Sequence, residues 1–232
     1  LLHIRCQFEI SRVVQALQLR RHGSLCFYGP PGSGKTALAH HIARALGQPL
    51  QLRKASDLLG PYVGETEQRL AAMFHDAESD GAVLLLDEAD SFLQDRRGAL
   101  RNHEVSEVNE LLQGMEHFRG VFICTTNLIE RLDQASLRRF AFKLEFRPLT
   151  LTQRETLFVE QACQGNVELL TPSLLNRLRM LDHLCLGDFA AVQQQVELLR
   201  AALDPSEFLE QLEAEHRLKP EVREARSVGF LA

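Results

Sequence analysis

Four short stretches of this chain carry residue types that do chemistry together. The first is Gly29-Pro30-Pro31-Gly32-Ser33-Gly34-Lys35-Thr36, which fits the spacing GxxxxGK[ST]. Glycines at this spacing let backbone N–H groups turn inward around phosphate oxygens, and a helix that follows points its positive end at the same anion. Lys35 is then placed for the β- and γ-phosphates, and the Thr36 hydroxyl for a Mg²⁺ ion. The alternative is a plain glycine-rich turn. It is disfavoured because an apolar run, Ser24–Tyr28, precedes the loop and a helical pattern, Lys35–Leu46, follows it. The candidate nucleotide-binding segment is therefore Gly29, Pro30, Pro31, Gly32, Ser33, Gly34, Lys35, Thr36 and Ala37.

The second stretch is the apolar run Ala82–Leu86, which ends in Asp87-Glu88. In a parallel sheet the carboxyl ends of the strands form the ligand crevice. Asp87 would meet the Mg²⁺ shell through water, and Glu88 would orient and polarise an attacking water. General-base assistance of that kind is worth about 10²–10⁴ in rate. An exposed acidic helix start is the bland alternative. Asp90, Asp95, Arg96 and Arg97 are read as surface-loop residues. The third stretch, Val121–Thr126, is apolar until Thr125-Thr126-Asn127. Asn127 could hydrogen-bond both a γ-phosphate oxygen and the attacking water. The fourth is Arg138-Arg139, whose guanidinium groups could stabilise charge on a transferred phosphoryl group, an effect worth about 10³–10⁵.

These residues need a scaffold. Ile10, Val13, Val14 and Leu17 follow helical spacing, as do Leu70, Met73, Phe74 and Ala77 within Thr66–Ala77, and Val105, Val108, Leu112 and Met115 within Glu104–Glu116. Strands are expected at Ser24–Tyr28, Leu50–Arg53, Ala82–Leu86, Val121–Cys124 and Phe142–Phe146, and Gly47 is placed to end a helix. Strands alternating with helices predict an α/β fold with a mostly parallel sheet covered on both faces. After about residue 146 the strand signals stop. Thr152 with Glu155 resembles a capping box, Thr171-Pro172 and Asp204-Pro205 open helices, and Asp188–Arg200 is amphipathic. Two domains are expected, an α/β domain over 1–146 and a helical domain over 147–232 with a charged tail after Lys219.

Composition limits the remaining classes. The 232 residues carry 26 Lys+Arg and 31 Asp+Glu, a net charge of −5, which gives no support to non-specific nucleic-acid or membrane-surface binding. No apolar run approaches the 18 residues of a membrane span. Five widely spaced Cys, without a CxxC pair, argue against a disulfide framework or zinc site and suit a reducing, cytoplasmic setting. The chain opens Leu1-Leu2-His3, without Met or a signal peptide, and is read as a fragment of a longer protein.

In order and spacing, the phosphate loop, Asp87-Glu88-Ala89-Asp90, Thr125-Thr126-Asn127 and Arg138-Arg139-Phe140 resemble the AAA family of ATPases. Within it they are similar to the clade of vacuolar-sorting, katanin-type and membrane-extraction ATPases. The resemblance spans about residues 10–200. It implies a P-loop NTPase sheet of order 5-1-4-3-2, a helical lid, ATP and Mg²⁺ as ligands, and a homo-oligomeric, hexameric ring with ATP at subunit interfaces. By the same resemblance Arg138 and Arg139 match arginine fingers that act on a neighbour's ATP, with no ranking between them. Gly187-Asp188 match a lid motif next to the nucleotide, although Leu186 replaces part of the usual Ser-Gly-Ala-Asp. The family's adenine-contacting Asp and Gly, upstream of the first helix, have no match.

Tyr62-Val63-Gly64-Glu65-Thr66-Glu67 matches the family segment that lines the ring's pore and grips polypeptide, with Tyr62 and Val63 at the gripping positions. Arg96–His103, carrying Arg96, Arg97, Arg101 and His103, is a candidate second pore loop or a solvated loop. Two functions follow from the resemblance: an ATP-driven remodeller that threads or disassembles a protein substrate, or an ATP-dependent switch or assembly factor without threading. A nucleic-acid role is disfavoured by the acidic balance and the pore aromatic. The protein substrate or adaptor is not legible.

Overall fold

Val83–Leu86 are all fully inaccessible. Successive strand side chains face opposite ways, so this strand must be covered on both faces. It lies in a six-stranded sheet. In chain order the strands are β1 (Ile4–Arg5), β2 (Gly23–Tyr28), β3 (Leu50–Lys54), β4 (Val83–Asp87), β5 (Val121–Thr126) and β6 (Phe142–Phe146). Across the sheet the order is β1-β6-β2-β5-β4-β3. Counted from β2, this is the expected 5-1-4-3-2, and all pairings among those five strands are parallel. The two-residue β1 is an addition that the sequence pattern did not signal. It pairs antiparallel with β6, Ile4 opposite Phe146, and two residues carry no readable periodicity.

The computed structural model describes residues 2–93, 102–127, 134–200, 203–220 and 222–223. The chain divides into two units: Ile4–Gly29 with Lys35–Phe146, and Leu1–His3 with Pro30–Gly34 and Arg147–Ala232.

In the first unit, α1 (Ile10–Arg20) turns Val13 and Leu17 inward, and α2 (Lys35–Leu46) buries Leu38, Ala39, Ile42, Ala43 and Leu46. α3 (Ala55–Leu58) is a single turn after β3. α4 (Glu65–Ser79) and α6 (Asn102–His117) cover the other face of the sheet, with the single-turn α5 (Asp90–Leu93) before α6. Leu70, Met73, Phe74 and Ala77 of α4 meet Leu112 and Met115 of α6 in one core cluster, and Val108 packs against it. Phe74 sits 5.5 Å from Phe122 and 5.7 Å from Phe118, ring centre to ring centre. These spacings suit tilted aromatic pairs. The short α7 (Gln134–Arg138) leads into β6.

In the second unit, α8 (Leu151–Gln161), α9 (Pro172–Arg179), α10 (Leu186–Leu199) and α11 (Pro205–Leu218) close around Leu157, Phe158, Leu178, Leu184, Phe189, Val192, Phe208 and Leu212. α8, α9 and α11 each start on a side-chain cap. Thr171 caps α9 with Pro172 behind it, and Asp204 with Glu207 forms a capping box on α11. The box on α8 is Thr150 with Gln153, not the expected Thr152 with Glu155. The N–H of Leu149 is bound to the Leu184 carbonyl at 2.8 Å and its side chain is in the core, so the helix must begin directly after it. α10 likewise begins at Leu186, two residues earlier than its apolar pattern suggested.

Candidate functional site

Within the α/β unit, the ends of β2, β4 and β5 bring residues far apart in sequence together. Gly29 follows β2 with φ +137°, and a Cβ there would lie 2.1 Å from the Phe146 carbonyl oxygen. Glycine is thus required sterically as well as conformationally. The Gly29 N–H donates to Thr126 O at 3.3 Å. Lys35, the first residue of α2, is buried. Its Nζ donates to the Gly29 carbonyl and to Asn127 Oδ1, both at 2.8 Å. Lys35 and Asn127, predicted separately, therefore share one hydrogen bond across 92 residues of chain. Thr36 is half-buried and Ala37 exposed on the first turn of α2.

Asp87 closes β4 half-buried, and its Oδ1 accepts the Thr125 hydroxyl proton. The same Thr125 Oγ1 accepts the Glu88 N–H at 3.1 Å, and the Thr125 carbonyl accepts the Ala89 N–H at 2.9 Å. Glu88 is exposed and sits at φ +56°, in the left-handed region that costs a non-glycine residue about 1–2 kcal/mol. This kink turns the chain back over the end of β5, with a consequence for Asp90. Expected on a surface loop, Asp90 is instead half-buried, and its Oδ1 accepts the Thr126 hydroxyl and, at 3.2 Å, the Asn127 N–H. Asp90 thus fixes the residue that holds Lys35. The signal available was Thr125-Thr126, two hydroxyls at the end of an otherwise apolar strand. Beneath the carboxylates, Cys26 and Cys124 face each other on β2 and β5. The Cys26 contact and burial push the Cys124 thiol well above its ordinary value, so it stays protonated and unreactive. None of the five cysteines forms a disulfide.

Thr36 and Asp87 offer hard oxygen donors, and among the described residues no group of three or more His, Cys, Asp or Glu forms a protein cage for a metal. A cation held by such a sparse set takes its other ligands from phosphate and water, which is the habit of Mg²⁺. The donor set fits that ion.

Within the helical unit, Pro30–Gly34 is held by its own contacts. Ser33 is buried, and its hydroxyl donates to Pro30 O at 2.7 Å. Gly32 and Gly34 have φ +71° and +99°. The Gly187 N–H donates to Gly32 O at 2.8 Å, and a Cβ on Gly187 would lie 2.8 Å from Gly32 Cα. Gly187 is therefore small because a helix start meets the phosphate loop backbone there. Asp188 Oδ2 accepts the Cys185 N–H at 2.6 Å and pairs with Lys219 Nζ at 2.8 Å. Lys219 was not singled out from sequence.

Tyr62 and Val63 are 77% and 76% exposed, too open for a loop packed on its own unit. The feet of their loop are fixed: Gly60 N–H donates to Thr66 Oγ1 at 3.0 Å, and the Arg69 guanidinium donates to the carbonyls of Asp57 and Leu59 at 3.0 and 2.9 Å. Gly64, at φ +87°, is the N-cap of α4. Arg138 and Arg139 are both exposed at the end of α7, and Arg139 is ion-paired with Glu116. Of the second candidate pore loop, Arg96, Arg97 and Arg101 lie outside the described residues, as do Asp95 and the side chain of His103; the tail Val228–Ala232 does too.

Residues 25–148, more than half of the chain, match the model of the ATPase family associated with various cellular activities (AAA), and the chain belongs to that family. It is 36% identical over 134 residues to an uncharacterized AAA family ATPase of Sinorhizobium fredii, covering 54% of this chain and 41% of the relative. It is 37% identical over 130 residues to a putative 26S proteasome regulatory subunit homolog of Methanothermobacter thermautotrophicus, covering 53% and 35%. With spastin of Drosophila mojavensis the identity is 29% over 191 residues, 78% of this chain and 24% of spastin. The chain thus spans well under half the length of these relatives. Among solved structures, the FIGL-1 AAA domain in complex with ADP has the same fold, at TM-score 0.63 and 21% identity, covering 91% of this chain and 86% of that one. A chain of the E. coli MS115-1 HORMA:CdnC:Trip13 complex does likewise, at TM-score 0.65 and 22% identity, covering 88% and 77%.

Proposed function

We propose that this chain is an ATP-hydrolysing AAA module that assembles into a homo-oligomeric ring, a hexamer by family resemblance, and remodels a protein substrate. The observation that carries the ATPase reading is the Lys35 ammonium held between the Gly29 carbonyl and Asn127 Oδ1, beside the carboxylates at the end of β4. Lys35 binds the β- and γ-phosphates of ATP. Thr36 and Asp87 hold Mg²⁺, which supplies charge neutralisation at the phosphates. Glu88, exposed on its left-handed kink, accepts the proton of the attacking water, and Asn127 orients that water and a γ-phosphate oxygen. Thr125 and Asp90 hold Asp87 and Asn127 in place.

The remodelling reading rests on Tyr62 and Val63, two apolar side chains left open on a loop with fixed feet. FtsH of Lachnoclostridium phytofermentans, an ATP-dependent zinc metalloprotease by name, is among the similar proteins, which agrees with work on a protein substrate. Of the two arginines, Arg138 serves as the finger toward a neighbouring subunit, because Arg139 is already engaged with Glu116. Among the described residues no helix is long and apolar enough to cross a membrane.

ATP turnover per subunit, measured against protein concentration, tests the proposal. Turnover rising with concentration, and abolished in Lys35→Ala together with nucleotide binding, is expected. Unchanged ATP affinity in Lys35→Ala would remove the phosphate-loop role. A turnover independent of concentration would remove the ring.

A further inference from the structure

α11 ends at Leu218 because Pro220 cannot continue the helix, and Lys219 is its C-cap. The Lys219 N–H donates to His216 O at 3.2 Å, which fixes the backbone from which its side chain departs. Lys219 Nζ then reaches Asp188 Oδ2 at 2.8 Å. Both side chains are largely withdrawn from water, 15% and 16% exposed. Asp188 lies in the first turn of α10 and Lys219 just past the last turn of α11, so each charge also opposes the partial charge of its own helix end. On the same carboxylate oxygen Asp188 takes the Cys185 N–H at 2.6 Å, which closes the first turn of α10. Between them lie Leu186 and Gly187, and the Gly187 N–H is spent on the Gly32 carbonyl of the phosphate loop at 2.8 Å.

The contacts form a chain: Lys219 to Asp188, Asp188 to Cys185, and Gly187, held between those two, to Gly32. We infer that Lys219 is a positioning residue for the phosphate loop. By clamping the first turn of α10 it holds the Gly187 N–H against Gly32, and so keeps the loop in the conformation that receives phosphate. This rests on the nucleotide reading of Gly29–Thr36. It assigns to the end of α11, far from that loop in sequence, control of nucleotide affinity. Losing the ammonium leaves the Asp188 carboxylate half-desolvated with one partner fewer, which favours release of the turn toward water. The loop then loses its hydrogen bond to Gly187.

Equilibrium binding of a fluorescent, ribose-labelled ADP to the whole chain tests this, with melting temperature followed in parallel. Lys219→Met keeps the aliphatic stem and removes the charge; its Kd is expected to rise at least fivefold. Lys219→Arg, which can still donate to Asp188, is expected to stay within twofold of the parent. Gly187→Ala breaks the same contact from its other end and should raise Kd as well. Adding Lys219→Met to it should then cost less than it does in the parent chain, because the contact it works through is already gone. A Lys219→Met protein with the parental Kd overturns the inference, as does one whose melting temperature falls while its Kd holds. Full additivity of the two substitutions overturns the route through Gly187. Failure of the underlying nucleotide reading is distinguishable: the parent chain would not bind labelled ADP, or Lys35→Ala would bind it as well as the parent does.

Discussion

Glu88 is where backbone strain and the proposed chemistry coincide. Its φ of +56° costs a non-glycine residue about 1–2 kcal/mol, and such costs persist where the surroundings impose them. Here the imposing contacts are the Glu88 N–H on Thr125 Oγ1 and the Ala89 N–H on Thr125 O. Two substitutions separate strain from chemistry. Glu88→Gln keeps the strain and removes the base; it should bind ATP yet hydrolyse it at least about a hundredfold more slowly, with no change in melting temperature. Glu88→Gly relieves the strain. After the entropic cost of glycine it should gain up to about 1 kcal/mol, or about 2–4 °C for a chain of this size, while hydrolysis is lost as well. Differential scanning calorimetry and phosphate release measure both. A Glu88→Gly protein that melts several degrees lower would mean that the left-handed turn carries no strain. The motif made Lys35, Asp87, Glu88 and Asn127 legible in the sequence. Asp90 was not, because a charged residue three positions past a strand looks like surface until the kink at Glu88 is known.

Among the elements, the helical unit depends on pH through His216, which is buried in α11 near its C-terminal end. Asp182, His183 and Lys219 face it. Burial lowers its pKa, and the attraction of Asp182 does not fully offset that. The folded chain therefore binds fewer protons than the unfolded one. The contribution of His216 to stability is complete above the ordinary histidine value of about 6.5 and is lost as pH falls through the lowered folded value. Melting temperature recorded from pH 7.5 to 5 should fall less steeply in His216→Gln than in the parent; parallel curves would show that His216 does not govern this range. The helices themselves were legible from caps and periodicity. The start of α8 was misplaced by two residues, because Thr150–Gln153 and Thr152–Glu155 offer the same spacing and only the anchoring of Leu149 chooses between them. β1 could not be found at all, since two residues pair with β6 only once the edge of the sheet exists.

For the molecule as a whole, the exposed features point to partners. Tyr62 is 77% exposed, so Tyr62→Ala should leave the melting temperature within about 2 °C of the parent, as surface substitutions usually do. It should lose any stimulation of ATP turnover by a permanently unfolded polypeptide such as carboxymethylated lactalbumin. Stimulation retained at the parental level would remove Tyr62 as a gripping residue. Arg138, exposed at the end of α7, is proposed to complete a neighbour's site. Arg138→Ala subunits should be inactive alone and recover part of their turnover when mixed with Lys35→Ala subunits, since each supplies what the other lacks. Absence of recovery, in mixtures shown by sedimentation to co-assemble, would place Arg138 outside the neighbour's site. A net charge of −5 gives no support to non-specific nucleic-acid binding.

The sequence by itself determined the family, the parallel sheet and the residues proposed to touch phosphate. Each of these is written locally, in a motif of fixed spacing or in a run of apolar residues ending in polar ones, and local patterns need no knowledge of what lies across the fold. Tertiary structure alone decided how those residues are held. Asp90 on Thr126 and Asn127, Arg139 on Glu116, and Lys219 on Asp188 each join segments 23 or more residues apart. Their partners are surface-type residues with no periodicity to mark them, so only chain closure brings them within hydrogen-bonding distance.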